Sequence, residues 1–516
     1  MKLKRTQNTV RNAAYAYLVR FILMFFPFIT RSIFIQVLGA EYLGLNGLFS
    51  SILSVLNLSE LGFGSAIVVH MYRAIAEDNH GGINALLNYY KKVYHIVGIV
   101  ILAVGCTLIP FLPKLIQGTC PEGINLTAVY LVYLFDTCIS YFLFAYYTSL
   151  LSAFQRDDLL AKARLLVKLL IYAIQIGILL TVHNYYVYLV TLPAFTIVRN
   201  VVVYFFARRA FPEYKPQGII PEKVKRDIGV KVKGAMIGKV ASAFRNTFDS
   251  LFISMFVGLT ATAIYGNYYY ILNTVAYLLS ILPNAASGGG GNSVALETQK
   301  KNHQDMNRMN FLYMWLSGWC AVCLLCLYQP FMTLWVGNDM LLPNSTMVLF
   351  CVYFYLLKTG DVLSIYSGAK GLFWEKRFIR IAEIIGNISL NYFLGKFFGI
   401  AGILWATIIT VAGIELLFGS RVPFKYYFTD YSANQYLLRH LKYACVTAFV
   451  AAVTYRICSL ITIQGIWGLI SIGMICVVVP NVLFFLIYRR TGIYQNTIPW
   501  IFEKIKMLIS KNKSVG

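Results

Sequence analysis

Apolar residues run in blocks along this chain, divided by short polar stretches, from one end to the other. A block of about 20 residues crosses a hydrocarbon core about 30 Å thick as one α-helix. Fourteen blocks of that kind are read, over 14–37, 45–70, 90–112, 125–151, 163–182, 185–206, 234–257, 261–284, 309–336, 345–368, 377–397, 400–420, 437–461 and 466–488. The pattern predicts an all-α polytopic membrane protein of about 14 transmembrane helices. The first block follows a basic start but lacks a small-residue cleavage site, so no cleavable signal peptide is read.

The blocks repeat. Sliding the chain so that Gly39 meets Gly258 also brings Gly47 onto Gly266, Phe25 onto Phe244, Ile52 onto Ile271 and Leu53 onto Leu272. Six blocks precede a basic stretch carrying Pro212, Pro216 and Pro221, and the first six of the eight that follow it form the second copy. An even number of crossings returns the chain to its starting side, so the two copies are expected to be parallel, with the functional site between them. The expected organisation is an N-terminal six-helix lobe at 1–206, a cytoplasmic basic linker at 207–232, a C-terminal six-helix lobe at 233–428, two extra helices at 429–490 and a tail at 491–516. In that tail, Ile498, Ile501, Phe502, Ile505, Leu508 and Ile509 fall on one helical face, which fits an interfacial helix.

Composition agrees: 58% of residues are hydrophobic and only 13% charged, where a soluble chain carries about a quarter. The net charge of +24 would suit nucleic acid if it sat on a soluble domain. It does not. With the N-terminus inside, 35 basic residues fall on inner segments, two (Lys114 and Lys396) on outer loops, and eight within spans. That asymmetry follows the positive-inside rule and predicts a cell membrane protein with both termini cytoplasmic. No nucleic-acid partner is expected.

Short outer loops leave no room for an external catalytic domain, so the chain is not expected to be an enzyme; a membrane glycosyl polymerase is disfavoured for the same reason. The glycine run Gly288–Gly291 lacks the lysine of a phosphate-binding loop and reads as a flexible or broken helix end. No cofactor motif is present. Cys320, Cys323 and Cys326 stand at helical spacing in an apolar block without histidine or carboxylate, which favours core packing over a metal site.

Charges within the spans remain. An ionisable group there costs about 2.5–3.5 kcal/mol on insertion scales, faces the bundle interior or water, and marks a transport path. Arg20 and Lys239 fall on matching positions of the repeat, which suggests a central chamber that wants positive charge. The candidate substrate-binding set is Arg20, Lys239, Arg199, Arg31 and Arg245. The candidate ion-coupling set is Asp249, Asp136 and Glu60, with H+ or Na+ as the coupling ion. Structural alternatives stand beside several. Arg245 can neutralise Asp249 four residues on, and Lys358 can neutralise Asp361. Arg31, Lys168 and Arg456 can snorkel, and Glu383 and Glu415 can pair with neighbouring cations such as Arg380 and Arg421. Spare cations suit an anion, and guanidinium matches phosphate bidentately. Tyrosines crowd the fourth and eighth blocks, from Tyr130 to Tyr147 and Tyr268 to Tyr277. They suit sugar rings, although interfacial belts account for most of them.

The runs Arg11–Tyr15, Arg31–Ile35, Leu38-Gly39-Ala40-Glu41-Tyr42-Leu43-Gly44-Leu45-Asn46-Gly47-Leu48-Phe49 and Leu58–Ala66 resemble bacterial polysaccharide flippases of the Wzx type. These belong to the multidrug/oligosaccharidyl-lipid/polysaccharide exporter superfamily. The resemblance implies a translocase that turns undecaprenyl-diphosphate-linked oligosaccharide from the inner to the outer leaflet by alternating access. It implies a cation-lined cavity, ion coupling, and membrane lipid, a polysaccharide polymerase and glycosyltransferases as candidate partners. In related lipid II flippases two extra helices form a groove for the lipid tail, a role open to the last two blocks here. The four-glycine run departs from the pattern expected after the eighth block. The alternative is a cation-coupled multidrug antiporter of the related MATE family; an acidic chamber would favour it, whereas cations outnumber acids inside these spans.

Overall fold

A computed structural model describes residues 5–57, 63–118, 120–121, 123–461, 463 and 465–513. Every regular element among them is helical. The chain divides into two compact units, Met1–Gly266 and Asn267–Gly516.

The first unit opens with α1 (Arg5–Leu38) and α2 (Ala40–Leu56). Gly39 separates them with φ 101°, a left-handed backbone value that costs glycine nothing. Gly258, its partner in the repeat, has φ 113° and separates α9 (Glu222–Phe256) from α10 (Leu259–Leu296). The internal repeat is therefore visible as the same backbone turn made twice. Gly44 shows why the motif around it is glycine-rich. A Cβ there would stand 2.0 Å from the carbonyl oxygen of Leu259, so α2 packs directly on the start of α10.

Between these lie α3 (Phe63–Ala76), α4 (His80–Thr107), α5 (Leu126–Phe142), α6 (Tyr147–Ala153), α7 (Asp157–Thr181) and α8 (Tyr185–Ala210). Asparagines cap three of them, Asn79 on α4, Asn125 on α5 and Asn184 on α8; each side chain accepts from backbone N–H groups that the first turn leaves without a helical partner. α1 packs along α7, α5 along both α4 and α8, and α2 against α9.

In the second unit follow α11 (Gln299–Val336), α12 (Asn344–Lys358), α13 (Asp361–Ala369) and α14 (Arg377–Thr410). A break at Gly399 bends α14, which runs on as a π-helix over Val411–Gly419. Then come α15 (Arg421–Tyr426), α16 (Ala433–Cys458), α17 (Gly465–Tyr488) and α18 (Gly492–Lys513). α11 is the hub, touching α12, α16, α17 and α18. In the tail, Tyr494 lies beside Trp315 and Trp500 beneath Arg308.

Large apolar side chains such as Phe393, Phe397 and Trp467 stand exposed on these helices, which suits hydrocarbon and not water. The chain is a multi-pass membrane protein. Nine helices among the described residues are long and apolar enough to cross, ten if the α5–α6 pair, bent by 54°, is one span. Blocks and helices do not correspond one to one. The block at 125–151 divides into two shorter helices, that at 45–70 holds parts of α2 and α3 on either side of residues 58–62, outside the described ones, and those at 377–397 and 400–420 belong to one helical stretch, Arg377–Tyr426.

One expectation fails outright. The run Gly288–Gly291 is not a broken helix end, because α10 continues through it to Leu296. Glycine is a poor helix former, by about 1 kcal/mol against alanine, and here the longer helix carries it.

Candidate functional site

The charges expected inside the spans fall into distinct settings. Arg20 lies on α1, and Lys239 and Arg245 on α9, but their side chains are outside the described residues; Glu60 lies wholly outside them. The structure describes Arg31, Arg199, Asp136 and Asp249.

Asp136 on α5 faces α8, where the Thr196 hydroxyl donates to its Oδ1 at 2.6 Å. Arg199, one turn further along α8, donates from Nη2 to Ser140 Oγ at 3.4 Å and to Asn200 Oδ1 at 3.5 Å. Lys168 on α7 lies within electrostatic reach of both Asp136 and Arg199, with its Nζ 5.7 Å from the Tyr172 ring centroid. Two cations and one acid thus share a site formed by α5, α7 and α8. Lys168, for which snorkelling to an interface was one alternative, takes part in this cluster. Thr196 was not anticipated. A single threonine in an apolar block carries no signal until the facing helix is known.

Asp249 on α9 is fully buried and accepts from the Tyr265 hydroxyl at 2.9 Å. Arg31 on α1 lies within electrostatic reach of Tyr188. Its guanidinium also lies near Gly266, where an added Cβ would come within 3.9 Å of Nη1. Close by, Asn46 on α2 accepts from two tyrosines of other helices, Tyr133 at 2.5 Å and Tyr185 at 2.6 Å.

The tyrosines depart from the belt expectation. Tyr130, Tyr133, Tyr141, Tyr146, Tyr147 and Tyr268 are all buried. Their hydroxyls tie helices together: Tyr130 donates to the Gly105 carbonyl, Tyr141 to Asn57 and Tyr268 to Gln329. Burying a hydroxyl demands a partner, and a neighbouring helix supplies it.

Several charges of the second unit close into pairs, two of them at spacings the sequence allowed. Lys358 Nζ meets Asp361 Oδ2 at 2.9 Å and also Ser280 Oγ at 3.1 Å. Arg380 spans two acids, Glu383 at 3.3 Å and Glu415 at 3.1 Å. Arg421, offered as an alternative partner, donates to Asn434 instead. Beside the Arg380 cluster lies a buried amide–hydroxyl network that sequence reasoning missed. In it Asn391 donates to Asn387 at 3.1 Å, and Asn387 to Thr407 at 3.3 Å and Thr410 at 3.5 Å.

An apolar groove of about 610 Å3 opens between α11, α12 and α16, lined by Leu325, Val348, Val352, Ala448, Ala451 and Tyr455 among others. Small residues on α16 leave the space.

Comparison with known proteins places this geometry. Among curated proteins none matches the sequence. Among solved structures, the chain is similar to the lipid II flippase MurJ in an inward closed conformation. The TM-score is 0.67 at 16% identity, over 92% of this chain and 98% of that one. It is similar also to an inward-facing multidrug resistance MATE family transporter of the MOP superfamily, with TM-score 0.54, 14% identity and coverage of 78% and 98%. A third is a MOP superfamily transporter from Pyrococcus furiosus described as having a binding pocket of reversed polarity, with TM-score 0.52, 13% identity and coverage of 81% and 96%. At such identities the likeness establishes the fold alone. The model of one family, described as polysaccharide biosynthesis protein, matches residues 9–286. That match covers more than half of the sequence, so this chain belongs to the polysaccharide biosynthesis protein family.

Proposed function

We propose that the chain is a flippase for polyprenyl-diphosphate-linked oligosaccharide, undecaprenyl in a bacterial cell membrane, serving synthesis of a surface polysaccharide such as a capsule or exopolysaccharide. The observation that carries the reading is the cluster on α5, α7 and α8, in which Arg199 and Lys168 outnumber Asp136 in a member of this family. A diphosphate is held by cations, and a cationic drug is repelled by them. Arg20 and Lys239 extend the cationic set in this proposal, as do Arg31 and Arg245, all on the first helix of each repeat. The two lobes at 1–206 and 233–428 rock about them in alternating access, with both termini cytoplasmic. The lipid tail needs an apolar surface, and the groove between α11, α12 and α16 offers one.

Coupling by H+ or Na+ is assigned to Asp136 and Asp249, with Glu60 as a third candidate. An acid in apolar surroundings holds a proton or a small cation more readily than one in water. Glycosyltransferases and a polymerase acting before and after transfer are the expected partners.

The test compares ligands on the purified protein. A polyprenyl-diphosphate sugar should bind and compete with inorganic pyrophosphate, whereas organic cations should not. Tight binding of organic cations, with none of the lipid-linked sugar, would replace this reading by the drug antiporter.

A further inference from the structure

Five of the ten cysteines gather on one seam of the second unit, and only part of that was visible in the spacing. Cys320, Cys323 and Cys326 stand on successive turns of α11. They do not form a cluster by themselves. Cys326 turns instead toward Cys458 at the end of α16 and Cys476 in the middle of α17, and the three sulfur atoms lie within 4.8 Å of one another. All three residues are buried, with exposures of 4%, 6% and 1%.

We propose that Cys326, Cys458 and Cys476 form a binding site for a soft monovalent metal ion of the copper(I) class. Thiolate sulfur sits about 2.3 Å from a closed-shell metal of this size, so three ligands in a plane stand about 4 Å apart. The observed spacing accommodates that with small side-chain rotations. Soft sulfur donors select copper(I) over harder ions.

Charge decides between metals. The three helices are each long and apolar enough to cross a membrane, and an uncompensated charge among them is costly. A monovalent ion bound by one thiolate and two thiols is neutral. A divalent ion reaches neutrality only with two thiolates, so it must displace a second proton from these buried thiols. The neutral complex forms when the ion replaces one thiol proton, which is released; copper enters and stays as copper(I), so no oxidant or reductant is consumed.

An apolar cavity of about 310 Å3 lies between α10, α11 and α17, lined by Cys320 and Cys323 together with Leu324, Leu469 and Gly473. Cys323 Sγ lies 3.9 Å from the Cys476 carbonyl oxygen, so the cavity reaches the flank of the three-sulfur cluster. Trp319 donates to the same carbonyl at 2.7 Å, which fixes α17 against α11 at that level.

The experiment uses the full chain, purified in detergent and reduced. Silver(I), a redox-inert ion of the same class, is titrated directly, and copper(I) is titrated against a chromophoric copper(I) chelator. One equivalent should bind, protect Cys326, Cys458 and Cys476 from maleimide, and fail to bind when Cys458 is replaced. Cys458→Ala lies at a helix end and should keep the fold, while lowering affinity by more than about tenfold. Cys106→Ala, exposed and away from the seam, should change nothing. If Cys326→Ala or Cys476→Ala fails to fold, the maleimide pattern of the unaltered chain still decides. The proposal is overturned by absent stoichiometric uptake, by uptake that survives Cys458→Ala, by zinc binding more tightly than copper(I), or by a disulfide joining two of the three cysteines. None of these outcomes bears on whether the chain flips a lipid-linked sugar.

Discussion

Two charged clusters lie in apolar helices of this protein, and they are built by different rules. In the first unit Asp136 takes its hydrogen bond from a hydroxyl, Thr196, with Arg199 and Lys168 in electrostatic reach. In the second unit Arg380 grips Glu383 and Glu415. A hydroxyl can donate to a carboxylate or accept from a carboxylic acid, so Asp136 keeps this partner in either protonation state. An ion pair suits only the ionised acid. The first arrangement tolerates the arrival of a proton, a cation or an anionic substrate; the second resists all three and serves the fold. Charge in a membrane helix is therefore not by itself a mark of transport: its partner decides which protonation states it tolerates.

The largest effect should come from the scaffold. Arg380→Ala strands Glu383, whose side chain is 4% exposed, beside Glu415. Loss of one partner from such a buried pair costs about 3 kcal/mol. A fall in thermal unfolding temperature and in yield of folded protein should show it. If this variant is as stable as the unaltered chain, the second cluster is not a scaffold and the comparison collapses.

A smaller change in stability, with a large change in function, is expected from the first cluster. Asp136→Asn keeps a side-chain oxygen for Thr196 and removes the charge. Transport should lose its dependence on pH and sodium, while binding of the lipid-linked sugar persists. Arg199→Ala should do the reverse, weakening head-group binding roughly tenfold, the value of one charged hydrogen bond. Equal losses of binding in both variants would show that the cluster acts as one structural unit.

Smallest of all should be Thr196→Val, which keeps the shape and removes the hydroxyl. It should cost about 1 kcal/mol of stability and shift the pH profile of transport without abolishing it. An unchanged profile would mean that Thr196 plays no part in setting the charge on Asp136.

The reach of the sequence differed from feature to feature. Gly39 and Gly258 were paired by the repeat, and both proved to hold the left-handed turn between the first two helices of their copy. Arg380–Glu383 was legible because partners three apart share one helix face, and Lys358–Asp361 keeps that spacing across the turn from α12 to α13. Glu415 was offered two arginines and took Arg380, while Arg421 went to Asn434. The tyrosines misled, since an amphipathic ring suits an interface and a core equally until the helix opposite is known. Asn387, Asn391, Thr407 and Thr410 were passed over because amides and hydroxyls carry no charge to draw notice.

What the chain determined by itself is local or additive. Hydropathy summed over about 20 residues decides that helices lie in a membrane. The count of lysine and arginine between them predicts which way they point. A glycine needs only its own backbone to turn left-handed. The tertiary structure decided which faces meet. Thr196 lies far along the chain from Asp136, Cys458 and Cys476 far from Cys326, and Leu259 far from Gly44. Each of those contacts forms between helices, where the 3.6-residue period says which side chains share a face and nothing about the face that will cover them. The choice is made by packing, through the fit of one helix surface on another, and it alone turned a scatter of charges and thiols into two clusters and a seam.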